Sequence, residues 1–265
     1  MTPAEGFRGG IFDVDGVLVD SPHEAAWRDT FAELMGNEWA DIRDQTSWTP
    51  DAFTPAVYQQ VLSGKPRIDG ARAALEHFGV PDPDGARVEL YAERKQDMVV
   101  KLIDAGKFSA YPDALRFLLA VKDAGIRVAA ASSSKNAGLF LRQIRLDSFA
   151  EQEGLHYPWI TPGLTLLGAF DADTSGRHFE HGKPHPDIFL AAAAELDVDP
   201  QAAFVVEDAV SGIQAAKAGR FAGLGVARHD DAAGLTQAHA DIVVATLDEI
   251  DVAGLTDARL ARRAR

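Results

Sequence analysis

Asp13 and Asp15 stand two residues apart at the end of an apolar run, Gly9-Gly10-Ile11-Phe12-Asp13-Val14-Asp15-Gly16-Val17-Leu18. A short hydrophobic segment that ends in two carboxylates and a glycine reads as a buried strand delivering acid groups to a loop. Carboxylates are rarely buried unless something offsets their desolvation, and a hard cation is the usual partner. Two acids spaced i, i+2 leave an extended strand on the same side, so one can attack while the other moves a proton. An ordinary strand followed by an acidic turn has the same composition, and on this segment alone the two readings stand about even.

Three later segments supply what such a site would lack. Ala131-Ser132-Ser133-Ser134-Lys135-Asn136 places small hydroxyls between an apolar run and a helical pattern. Hydroxyl and backbone donors there can hold a phosphate, although capping the helix is the commoner use of Ser and Asn. His181-Gly182-Lys183-Pro184-His185-Pro186-Asp187 precedes another helix, and its prolines fix the backbone around Lys183. A lysine presented in this way can neutralise a phosphate and a carboxylate together; a solvated lysine in a loop is the plainer alternative. His181 and His185 read as surface residues, because no cysteine or HExxH pattern accompanies them. Phe204-Val205-Val206-Glu207-Asp208-Ala209-Val210-Ser211-Gly212 repeats the logic of the first segment, with a strand, two acids and a small-residue turn. Acids favoured at a helix N-terminus would account for that string alone. Two acidic strand ends with a fixed lysine and a hydroxyl loop point together to Mg²⁺, which takes few carboxylates, some waters and a substrate phosphate.

The elements that must position these groups can be read from the apolar runs. Strands are expected at 10–14, 126–131, 203–206, 223–227 and 242–244, with helices at 114–123, 186–196 and 210–218 between them. Alternation of this kind predicts an α/β fold, a doubly wound, Rossmann-like parallel sheet with helices on both faces. Residues 22–106 break the alternation with helical patterns at 23–35, 55–62, 70–78 and 84–105. We therefore expect a core of residues 1–21 and 107–265 and an inserted helical domain over 22–106, which would cover the strand ends where ligands of such sheets bind.

Composition narrows the function classes. A chain of 265 residues suffices for a large core plus a small domain. The net charge of −14 argues against nucleic acid as a partner, which requires cationic groups for its phosphates. No apolar run approaches a membrane span, and the first residues lack a basic and apolar leader, so neither a membrane partner nor a signal peptide is expected. The chain has no cysteine, which removes disulfides, zinc–thiolate sites and thiol nucleophiles and fits a cytoplasmic protein. There is no GxxxxGK[ST] or GxGxxG string, so a nucleotide site of those kinds has no support.

The four segments, in order and spacing across nearly the whole chain, resemble the four motifs of the haloacid dehalogenase superfamily of phosphotransferases, and the helical block resembles its small inserted cap. Within it the likeness is to the β-phosphoglucomutase-like group: the Ser132–Asn136 string resembles the group's second motif. His23, with Trp27 four residues on, resembles its histidine at the start of the cap, and Gly64-Lys65-Pro66-Arg67 resembles its arginine-bearing cap loop. The resemblance implies Asp13 as nucleophile, Asp15 as general acid and base, and Ser132 and Lys183 as holders of the transferring phosphoryl group. It implies substrate contacts from His23, Arg67, Ser133, Ser134, Lys135 and Asn136. It also implies Mg²⁺ on Asp13, Asp208 and the Asp15 carbonyl, with Glu207 a ligand or its neighbour. The chain departs from the group in a shorter stretch between Asp15 and His23, in Ser63 before Gly64, and in a long segment, 151–180, read by default as a surface loop.

Three functions follow from the resemblance. The first is a phosphatase on a small phosphomonoester, a sugar phosphate, with water as acceptor. The second is a β-phosphoglucomutase interconverting β-glucose 1-phosphate and glucose 6-phosphate, for which Arg67 would bind a second phosphate. The third and most remote is a phospho-switch without turnover, which would need neither Asp15 nor a cap. On sequence the phosphatase stands slightly ahead, for a monomer or homodimer.

Overall fold

The apolar runs that precede the acid and hydroxyl clusters are strands of one sheet in the computed structural model of the chain, which describes residues 6–63, 65–228 and 231–264. The strands are β1 (Gly9–Phe12), β2 (Arg127–Ala130), β3 (Ala172–Asp173), β4 (Ala203–Glu207), β5 (Ala222–Val226) and β6 (Ile242–Val244). Their order is β3-β2-β1-β4-β5-β6, and all neighbours are parallel. The chain runs outward from β1 to β3 on one side, returns to β4 and runs outward on the other. The strand order therefore reverses between β1 and β4, and ligands of doubly wound sheets bind at the carboxyl ends flanking such a reversal.

Both faces of the sheet are buried, which is why its central strands read as unbroken apolar runs rather than alternating ones. Ile11, Ala129 and Val205 are cross-strand partners on one face. They pack with Ile188 and Phe189 of helix Asp187–Glu195 and with Ala215 and Ala216 of helix Val210–Ala218. On the other face Phe12 and Phe204 meet Phe117 of helix Pro112–Asp123, with ring centroids 6.0 and 6.2 Å from it. Gly10 lies beneath these rings, and a Cβ there would stand 2.8 Å from the Phe204 ring. Burying a phenyl side chain contributes about 2–3 kcal/mol, so these contacts hold β1 and β4 side by side and with them the two acidic strand ends.

Two compact units make up the chain, one formed by Met1–Asp20 and Ala110–Arg265 and the other by Ser21–Ser109. The second contains helices His23–Gly36, Arg67–Phe78 and Ala86–Asp104, and its described residues 22–106 form no strand. Its core is aromatic: Phe31 packs with Phe78 at 5.0 Å and with Tyr91 at 5.1 Å, and the Tyr91 hydroxyl donates to the Trp27 carbonyl at 2.7 Å. The Asp82 carboxylate accepts from the Arg87 and Val88 amides and so caps the longest helix. The single helix expected over 55–62 is divided into a turn of α-helix, Pro55–Val57, and a π-helical turn, Tyr58–Leu62, closed by the Ser63 amide on the Tyr58 carbonyl. Gly64 of the arginine-bearing loop lies outside the described residues.

The segment 151–180 is more than the surface loop expected from sequence. Helix Leu146–Glu153 ends at Gly154, a short helix Leu166–Ala169 is capped by Thr165, and β3 then joins the edge of the main sheet beside β2. No helix among the described residues is long and apolar enough to cross a membrane.

Candidate active site

Asp13 is the first residue beyond β1, and its amide donates to the Val206 carbonyl of β4 at 3.0 Å. Lys183 bridges the two acidic strand ends. Its Nζ donates to Asp13 Oδ1 at 2.6 Å and to Glu207 Oε1, and the three side chains are 8% or less exposed. The Phe189 ring lies 4.9 Å from the same ammonium. Asp15 is met from the other side by the Ser132 hydroxyl, which donates to Asp15 Oδ2 at 3.1 Å and accepts from the Ser134 amide at 3.0 Å. Carboxyl ends of three adjacent strands, β2, β1 and β4, thus supply Ser132, Asp13 with Asp15, and Glu207 with Asp208.

Tight backbone geometry holds the acids. The chain turns after Asp15 through Gly16, whose φ is +82°, and the Gly16 amide donates to the Val19 carbonyl at 2.8 Å. A Cβ on Gly16 would lie 2.0 Å from Asp208 Oδ2, so this glycine is required both by its conformation and by the approach of Asp208. A Cβ on Gly212 would similarly meet the Glu207 carboxylate at 1.8 Å.

Charge in the cluster is unbalanced. Burial, opposed by Lys183 and reinforced by Glu207 and Asp15, pushes the Asp13 carboxyl up to about 7. Asp208 is pushed well above the ordinary carboxylate range by burial and then by Glu207 and Asp13. Burial alone would favour loss of the Lys183 proton, but Asp13 and Glu207 outweigh it and hold the ammonium charged. One lysine therefore faces Asp13, Glu207 and Asp208, and the excess negative charge lies on the Asp13–Asp208 side. An arrangement of buried oxygen donors with surplus negative charge fits a hard divalent cation. Among the described residues no three acidic or imidazole side chains form a cage of their own. Of the four residues expected at a metal, Glu207 is the most committed elsewhere: its Oε1 accepts from Lys183 and its Oε2 from the Ala209 amide.

The remaining expected residues separate into two groups. Ser133 and Lys135 are exposed, Ser134 is half-buried and its hydroxyl accepts from the Asn136 amide, and Asn136 is buried at the start of helix Ala137–Gln143. His23 and Arg67 belong to the helical unit. His23 is buried at the first position of its helix, and Arg67 is exposed at the first position of helix Arg67–Phe78. His181 and His185 are exposed, as expected, with their rings stacked at 4.5 Å.

Two positioning groups were not anticipated. Lys95, only 5% exposed, lies 3.1 Å from His23 Nδ1 and 4.7 Å from the Trp27 ring centroid. The signal for Lys95 lies in helical periodicity, because it shares a stripe with buried Val88, Tyr91, Ala92 and Val99. Arg228, beyond the end of β5, donates to the Gly16 and Val17 carbonyls at 3.3 and 3.0 Å and to Asp113 at 2.8 Å, while its guanidinium stacks on Tyr111 at 3.9 Å. It thereby fixes the turn that follows Asp15. An arginine closing an apolar strand was the only sequence trace of it.

Comparison with known proteins identifies the family. The family profile of haloacid dehalogenase-like hydrolases matches residues 8–220. A β-phosphoglucomutase of Mycobacterium bovis is 37% identical over 261 residues, covering 93% of this chain and 92% of its own. The structure of a β-phosphoglucomutase from a hyperthermophilic Pyrococcus superposes with a TM-score of 0.66 at 30% identity, over 93% of this chain and 96% of that one. Hexitol phosphatase B of Escherichia coli is 28% identical, over 80% of this chain and 79% of its own. By profile, sequence and fold, this chain is an enzyme of the haloacid dehalogenase-like hydrolase family.

Proposed function

We propose that this enzyme is a Mg²⁺-dependent phosphotransferase acting on a small sugar phosphate, with the phosphoryl group passing through Asp13. The observation that carries the reading is the bridge of Lys183 between Asp13 and Glu207, with Ser132 on Asp15 beside it. Phosphoryl transfer depends on positioning and charge neutralisation, and these groups supply both. An Asp13 carboxylate oxygen attacks phosphorus, the ester P–O bond breaks, and Asp15 gives its proton to the departing oxygen. In the second half an acceptor hydroxyl loses its proton to Asp15 and attacks the aspartyl-phosphate, which returns Asp13 to its carboxylate form. Lys183 and Ser132 hold the phosphoryl oxygens. Asp13, Asp208 and the Asp15 backbone carbonyl would hold the Mg²⁺, which when bound supplies further neutralisation of phosphoryl charge.

The acceptor decides between two activities. Similarity to proteins named β-phosphoglucomutase, at 37% and 30% identity over most of the chain, favours a sugar hydroxyl as acceptor and hence the mutase over the phosphatase. His23 and the exposed Arg67 are the groups that recognition of a second phosphate or a sugar hydroxyl would draw on. Water as acceptor is the second reading, favoured by the similarity to a hexitol phosphatase. Offering β-glucose 1-phosphate with Mg²⁺ and a trace of the 1,6-bisphosphate separates them. Glucose 6-phosphate with little free phosphate supports the mutase, and free phosphate without isomerisation supports the phosphatase. Absence of both products would contradict the assignment to glucose phosphates.

A further inference from the structure

The long segment between the hydroxyl cluster and the Lys183 loop takes hold of Ser132. Pairing of β2 with β3 ends at Ala130 opposite Asp173, yet the contact between the two chains continues. The Thr174 amide donates to the Ala130 carbonyl at 3.0 Å, the Ser132 amide donates to the Ser175 hydroxyl at 3.1 Å, and the Gly176 amide donates to the Ser132 carbonyl at 2.9 Å. Ser175 thus stands in for a backbone acceptor where the ladder would otherwise have ended. We infer that Ser175 is a positioning residue for phosphoryl transfer: with Gly176 it clamps both backbone groups of Ser132, so that the Ser132 hydroxyl is held ready for the phosphoryl group. This inference rests on the phosphotransferase reading given above.

The clamp is itself anchored. The Ser175 amide donates to Asp173 Oδ1 at 2.9 Å, and fully buried Thr174 sets its hydroxyl 3.4 Å from both the Ala130 and Ile188 carbonyls. Gly176 has a φ of +69°, and a Cβ there would stand 3.0 Å from Lys135 Cα and 3.3 Å from the Ser134 carbonyl oxygen. Ser132 is 2% exposed, so its amide has no water to replace a lost acceptor. Its hydroxyl is already shared between Asp15 and the Ser134 amide, and a rotation of the Ser132 backbone would move all three groups.

Ser175→Ala tests the clamp, with Thr165→Ala as its control. Thr165 caps a short helix of the same segment, accepting from the Gly168 amide, and touches none of these groups. Affinity for inorganic phosphate is measured by calorimetry in Mg²⁺ well below the unfolding midpoint, alongside turnover of p-nitrophenyl phosphate. Ser175→Ala should weaken phosphate binding about fivefold, the scale of one hydrogen bond, and lower turnover with it, whereas Thr165→Ala should lose stability and keep its phosphate affinity. Wild-type phosphate affinity in Ser175→Ala, or an equal loss in Thr165→Ala, would overturn the inference. If the unaltered enzyme binds phosphate but turns over no phosphomonoester, the reaction reading fails and the phosphate comparison still decides the role of Ser175. If it binds no phosphate, the site reading fails and the clamp falls with it.

Discussion

The ends of β1 and β4 have the same composition in outline, an apolar strand closing in two acids, yet they do different work. At β1 the acids are spaced i, i+2, and each meets a separate partner: Asp13 meets Lys183 and Asp15 meets Ser132. At β4 the acids are adjacent, so they leave the extended chain on opposite sides. Glu207 turns to Lys183 and the Ala209 amide, while Asp208 lies against Gly16. In the proposed reaction the first end presents the nucleophile and the proton carrier. The second divides into one acid that holds the lysine and one that adds the charge a cation would balance. Spacing by a single residue therefore separates chemistry from support.

The largest test of this comparison is Asp13→Asn. It should lower turnover by about 10⁴-fold with the folded state intact by circular dichroism, and substantial residual activity would place the nucleophile elsewhere. Asp208→Asn comes next: it should lower turnover by about 10²-fold at limiting Mg²⁺, with partial recovery as Mg²⁺ is raised. A variant with an unaltered Mg²⁺ requirement would break the division proposed for the β4 end. Glu207→Gln keeps the shape and removes a charge from Lys183, so kcat should fall about tenfold while the Mg²⁺ requirement moves little. A large shift in that requirement would make Glu207 a direct ligand.

Asp113→Asn should have the smallest effect on turnover and the clearest effect on stability. Asp113 pairs with Arg228, both side chains nearly buried, and also accepts from Thr246 and the Leu247 amide. Burial alone would raise its pKa, but the bonds from Arg228, Leu247 and Thr246 outweigh it and hold the carboxyl below its ordinary value. A depressed folded pKa gives stability that is present above the unfolded value of about 3.9 and is lost as pH falls through the folded one. The variant should lose about 3 kcal/mol at neutral pH and show a shallower acid limb, as read by denaturant unfolding across pH. An unchanged acid limb would show that Asp113 does not carry this linkage.

What could be read from the residues alone follows from how each element is buried. Strands such as 203–206 stood out because both faces of the sheet are covered and every side chain is apolar. β3 did not, because Ala172–Asp173 is a two-residue edge strand flanked by Asp171 and Thr174 and has no hydrophobic run to mark it. Asp13, Asp15 and Asp208 were visible because acids close apolar runs there, and Lys183 because prolines flank it in a short loop before a helix. Lys95, Arg228 and Ser175 contact backbone groups or a side chain far away in sequence; local pattern can mark such a residue as buried or as closing a strand, but it does not name the distant partner.

Asp13 is the proposed carrier of the phosphoryl group. The most direct measurement is the intact mass of the enzyme after rapid acid quenching during turnover with Mg²⁺ and β-glucose 1,6-bisphosphate, with peptide mapping of any modified site. We predict a gain of one phosphoryl group located on Asp13 and absent from Asp13→Asn. A phosphoryl group on another residue, or turnover with no phosphorylated enzyme at any quench time, would contradict the account.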